Sequence, residues 1–141
     1  MEQAPPSLIL AVGTHDQTTL HDDHVGESRF FMLFKVGAEE TQWIETRENL
    51  RGEAEKDPAH HHGDPHQAKH VATLLAGVDG IVAKRFGPNI KRMVHKFVCC
   101  LVKTDTVAEA VELAQRDLPL LVQHLQQGPD RKAVRLPPSP P

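Results

Sequence analysis

Apolar positions fall into short runs separated by polar loops, and the period of each run predicts an element. Residues 8–12 (LILAV) are apolar throughout, the pattern of a strand covered on both faces at the middle of an α/β sheet. Residues 29–36 (RFFMLFKV) alternate, with Phe30, Met32, Phe34 and Val36 on one face. A tight turn at 37–40 leads to a less regular edge strand at 41–46, so the two strands form an antiparallel hairpin. Asp64 as N-cap and Pro65 in the first turn open a helix that reaches about residue 76. Its buried face is Ala68, Val71, Ala72 and Leu75, and Gly77 stops it. Residues 80–84 and 97–103 predict two further buried strands, with a short helix at 89–95 between them. Helices at 107–115 and 118–126 follow, and Gly128–Pro129 ends the second.

The order β-β-β-α-β-α-β-α predicts an α/β fold with a mixed five-stranded sheet and helices on both faces. The third strand runs parallel to the first, and the last two are reached by helical crossovers. Residues 1–7 read as a flexible start, 8–127 as a single domain, and 128–141 as a disordered, proline-rich tail. The topology brings the loops 13–26, 47–64 and 85–89 to one end of the sheet. Ligands in open α/β sheets bind at the carboxyl ends of strands.

Composition changes this picture little. A chain of 141 residues suits one domain with a real core. Net charge is −3 with histidines neutral, and without a basic patch nucleic acid is not an expected partner. No run approaches the roughly 20 apolar residues of a spanning helix, and residues 1–7 lack the basic start of a secretory signal. A cytoplasmic protein with no membrane partner is the expectation. Cys99 and Cys100 are adjacent on a predicted strand, so they face opposite sides and do not form a disulfide with each other. Packing suits them better than service as soft metal ligands.

The chemistry lies in the histidines, ten in all. The loop 13–26 (GTHDQTTLHDDHVG) holds His15, His21 and His24 with Asp16, Asp22 and Asp23. A second loop ends in His60, His61, His62 and Gly63. Neutral imidazoles ligate iron, molybdenum and other transition metals, and neighbouring carboxylates fix their tautomer. His66 and His70 have the i, i+4 spacing of a helical metal pair, yet they lie opposite the apolar face and point to solvent. His66, in the first turn, is the better placed of the two.

From residue 8 to residue 126 the sequence resembles the dinitrogenase iron–molybdenum cofactor biosynthesis family, of the NifX, NafY and NifB C-terminal type. Its His-Phe-Gly motif is matched by His24, Val25 and Gly26, with valine for phenylalanine, before the aromatic strand. The His/Gly-rich loop before the first helix is matched by His60–His61–His62–Gly63. The "gvd-vi" strand is matched by Gly77, Val78, Asp79, Ile81 and Val82, the Gly-Pro turn by Gly87–Pro88, and the Thr-Val-x-Glu-Ala helix start by residues 106–110. The loop 47–63 is longer and more charged than the common form.

The resemblance implies a ribonuclease H-like fold and a non-enzymatic carrier of iron–molybdenum cofactor, its precursor or a related metal–sulfur cluster. Cluster donor and acceptor proteins would be its partners. It implies that His24 is the primary ligand. His15, His21 and the His60–His62 run would wall the site, Gly26 would belong to it, and Gly87 would be its floor. His62 and His66 are further candidate metal ligands. The ribonuclease H likeness does not extend to nuclease chemistry, because residues 8–12 carry no acid to bind paired metal ions. The alternative reading is a binder or sensor of single nickel, zinc or copper ions through the histidine loops.

Overall fold

The computed structural model describes residues 6–50 and 65–138. Eight residues of β1 (Ser7–Thr14) form the centre of the sheet. β2 (Phe30–Gly37) pairs antiparallel with it, Ser7 opposite Gly37 and Thr14 opposite Phe30. β3 (Thr41–Glu48) returns along β2 as the edge strand, with a register shift between Leu33 and Phe34. α1 (Pro65–Leu74) crosses to β4 (Gly80–Ala83), which lies parallel to β1 on its other side. α2 (Ile90–Met93) leads to β5 (Val98–Leu101). α3 (Val107–Arg116) and α4 (Leu118–Gln126) then lead to β6 (Val134–Arg135), parallel to β5. The sheet is six-stranded, in the order β3-β2-β1-β4-β5-β6.

Two cores sandwich the sheet, as continuous apolar strands require. Leu10, Val12, Val82, Val98 and Cys100 face α3 and α4, where they meet Val107, Val111, Leu118 and Leu121. Ala11, Ile81 and Cys99 face Val71 of α1, Leu75 just after it, and Met93 of α2. The adjacent cysteines thus enter different cores, as the strand period predicts. Burial pushes the Cys99 thiol up to about 12 and raises Cys100 as well. Neither thiol is a ready ligand.

Two expectations need correction, the strand count with its tail and the exposure of His70. The sheet has six strands rather than five because part of the expected disordered tail is packed: Val134 and Leu136 are buried, and the Leu136 N–H donates to the Leu101 carbonyl. A two-residue strand before a run of prolines leaves almost no periodic signal. On β2, Phe30, Met32, Phe34 and Val36 share one face as expected, and Phe31 and Leu33 are fully buried on the other, which faces α1. His70 does not point freely to solvent: its Nε2 lies 2.9 Å from Asn49 Oδ1.

Candidate functional site

The loop after β1 is pinned to its neighbours along its whole length. The Val107 N–H donates to the Thr18 carbonyl and the Leu20 N–H to that of Asp105. The Val25 N–H donates to the Arg85 carbonyl. From the end of β3, the Asn49 side-chain amide donates to the carbonyls of Gly26 and Ser28. The ends of β1, β3, β4 and β5 therefore converge, as the predicted topology requires. Asn49 and Ser28 gave no signal in the sequence, because their roles depend on contacts between segments distant in the chain.

Within the loop, Asp16 makes a turn of its own. Its carboxylate accepts the N–H groups of Thr18 and Thr19 and the Thr19 hydroxyl. The Thr19 backbone and hydroxyl, then the Thr18 N–H, hold it far below the usual carboxylate range. Gln17 takes the left-handed conformation at φ 66° to close this turn.

His15 and His21 stack, with ring centroids 3.8 Å apart and planes 13° from parallel. His15 Nδ1 accepts the Arg29 N–H at 3.3 Å, and its Nε2 lies 2.9 Å from Asp23 Oδ2. His21 Nδ1 accepts the Asp23 N–H at 3.1 Å, and its Nε2 lies 2.7 Å from Ser28 Oγ. A neutral imidazole carries one proton, so accepting at Nδ1 puts that proton on Nε2 in both rings. Burial, followed by the charge of His15, lowers the His21 pKa from its ordinary value.

One ligand atom from each of His15, His21 and Asp23 lies within 4.8 Å of the others, so the three form a potential metal group. The hydrogen bonds oppose that use. A metal at Nε2 would move the ring proton to Nδ1, against a backbone N–H, and a metal at Nδ1 would displace that N–H. As arranged, the pair locks the loop.

His24 differs. Among the described residues, neither of its ring nitrogens is engaged in a hydrogen bond or ion pair, although the side chain is half-buried. The aspartates before it serve other groups: Asp23 meets His15, and Asp22 Oδ1 lies 3.4 Å from Lys84 Nζ. The His24 ring lies on Gly87. A Cβ at Gly87 would come within 2.6 Å of its Cγ and Nδ1, and Gly87 has φ +73°. Glycine is therefore required there both by backbone conformation and by the ring above it. Gly26, two residues from His24, is buried, and a Cβ there would meet Gln67 of α1 at 2.9 Å. The first turn of α1, which also carries the exposed His66, thus abuts this segment. His60, His61 and His62, and the Asp64 cap, lie outside the described residues.

The sheet end and its histidine loop define a class: an α/β protein whose half-buried His24 imidazole lies against Gly87 at the carboxyl ends of its strands. Over residues 6–117 the chain matches the family model described as dinitrogenase iron-molybdenum cofactor, and it belongs to that family. Membership ties it to the biosynthesis or binding of that cofactor. The matched span ends at the start of α4, so α4 and β6 lie beyond it. No curated protein matches the chain. No helix among the described residues is long and apolar enough to cross a membrane.

Proposed function

We propose that this protein is a non-enzymatic, cytoplasmic carrier that holds iron–molybdenum cofactor, or a precursor metal–sulfur cluster, between a donor and an acceptor protein. His24 is its ligand. The observation that carries the reading is the contrast among the loop histidines. His15 and His21 have both ring nitrogens hydrogen-bonded inside the protein, whereas those of His24 are uncommitted among the described residues.

An imidazole lone pair suits an exposed iron or molybdenum corner of a cluster. A single neutral ligand holds such cargo without trapping it. The missing Cβ of Gly87 leaves room for the ring beside it. His15 and His21 act as the wall that fixes the loop, and Gly26 lets α1 approach. The nearness of Gln67 to Gly26 supports His66 as an additional donor, and His60, His61 and His62 precede it in sequence as further candidates. Residues 8–127 form the cofactor-binding unit in this proposal. A ribonuclease H-like fold is supported by the antiparallel meander of β1, β2 and β3 followed by parallel β4 and β5.

The test is anaerobic titration with isolated iron–molybdenum cofactor. The parent binds it, His24→Ala loses most of that binding, and His66→Ala retains the larger part. Undiminished binding by His24→Ala would refute the ligand assignment.

A further inference from the structure

Among the described residues, the face of β2 built by Phe30, Met32, Phe34 and Val36 is incompletely covered. α3 packs on β1 and β2, and α4 packs on β5. Val36 is buried, but Phe30, Met32 and Phe34 are not. Beyond them lies the edge strand β3. Its Trp43 sits opposite Phe34, so the two side chains share a face, and Trp43 is 54% exposed. An open groove of about 420 Å³ lies between α3 and these strands, lined by Met32, Phe34, Thr41, Val107, Val111 and Glu112 among others. Contiguous exposed apolar surface of this kind marks interaction sites.

Shape and charge indicate the occupant. Strands lie about 4.8 Å apart and packed helices about 8–10 Å apart. The uncovered strip beside α3 is therefore about one helix wide. The edge itself is poorly suited to an added strand, because the irregularity at Leu33/Phe34 makes Ile44 an extra residue in β3. The charges flanking the groove are acidic. Glu112 lines it, and Glu48 stands opposite Phe30 on the same face. The basic residues of these strands, Lys35 and Arg47, alternate to the other face. There Arg47 donates to the carbonyls of Leu74 and Ala76.

We propose that this groove docks a basic amphipathic helix of another protein, laid beside α3 with its apolar side on Met32, Phe34 and Trp43. Its cations face Glu48 and Glu112. This is the helix-in-groove mode of recognition, and it does not depend on the cluster reading.

Trp43 is the only tryptophan in the chain, so its fluorescence reports on the groove directly. The probe is a synthetic amphipathic helix of leucine and lysine without tryptophan, compared with a leucine and glutamate counterpart. The lysine peptide is expected to blue-shift Trp43 saturably, more weakly as salt rises, and the glutamate peptide to leave it unchanged. Glu48→Lys combined with Glu112→Lys should weaken binding about tenfold. Trp43→Ala, followed by anisotropy of a labelled lysine peptide, should also weaken it about tenfold or more. Circular dichroism verifies that both variants are folded. The proposal is overturned if the lysine peptide gives no saturable change, if the glutamate peptide binds equally, or if folded variants bind undiminished. It is also overturned if peptide-free protein dimerises and buries Trp43, which makes a second copy the occupant.

Discussion

At the scale of single residues, similar histidines are separated by what their ring nitrogens meet. His15 and His21 share one arrangement, a backbone N–H on Nδ1 and an oxygen acceptor at Nε2, whereas His24 has neither among the described residues. Gly87 is the residue on which the His24 ring depends. Gly87→Ala meets both an unfavourable φ of +73° and the His24 ring at 2.6 Å. It should cost about 1–3 kcal/mol of stability and lower cofactor affinity, measured by chemical denaturation and by anaerobic titration. Full stability and unchanged affinity would show that the ring does not need its glycine floor. His21 gives a pH signature. Its folded-state pKa lies below the ordinary 6.5 because burial, then the charge of His15, opposes protonation. The unfolded chain therefore takes up the proton first. The contribution is fully present above about pH 6.5 and is lost as pH falls toward and through the folded pKa. The melting temperature of the parent should fall more steeply than that of His21→Gln between about pH 7 and about pH 5. Parallel curves would remove His21 from the lock.

At the scale of elements, most boundaries were legible in the sequence, because caps and periods act locally. Thr106 caps α3 by accepting the Glu109 N–H, and its hydroxyl donates to the Glu109 carboxylate. Gly77 at φ +87° follows the end of α1 where the glycine predicts a stop. Asn89 is the N-cap of α2 by position, yet its side chain turns away from the cap and pairs with Gln67 and Arg92. Arg131 was not legible as structural, since it stands in a segment that reads as tail. Its guanidinium is buried and donates to the carbonyls of Val94, His124 and Leu125, joining the end of α4 to α2. Arg131→Met leaves those carbonyls without that donor and should cost about 3 kcal/mol, measured by denaturant unfolding. A loss within about 0.5 kcal/mol, ordinary for an exposed site, would mean that the segment after α4 contributes little.

At the scale of the whole molecule, the sequence predicted which loops meet but not how they are fastened. The apolar run of β1 and the helical crossovers imply a central strand with loops at its carboxyl end, and the sheet order bears this out. The ties that fasten these loops join residues far apart in sequence: Val25 to Arg85, Asn49 to Gly26, Gly87 to His24. No local period encodes such pairs. The sixth strand was missed for a related reason, because Val134 and Leu136 are recognisable as core only once β5 lies beside them. One end of this fold thus carries the histidine loop, while the half-covered face of β2 and β3 offers a separate surface for a helix.

The central claim is that cargo is held through the imidazole of His24. It is tested most directly by pulsed electron paramagnetic resonance of the cofactor-loaded protein with isotope-labelled histidine. The expected spectrum shows a histidine nitrogen coupled to the paramagnetic cluster, lost in His24→Ala and retained in His15→Ala. A coupling that persists in His24→Ala, or one that disappears only in His15→Ala, would contradict the claim.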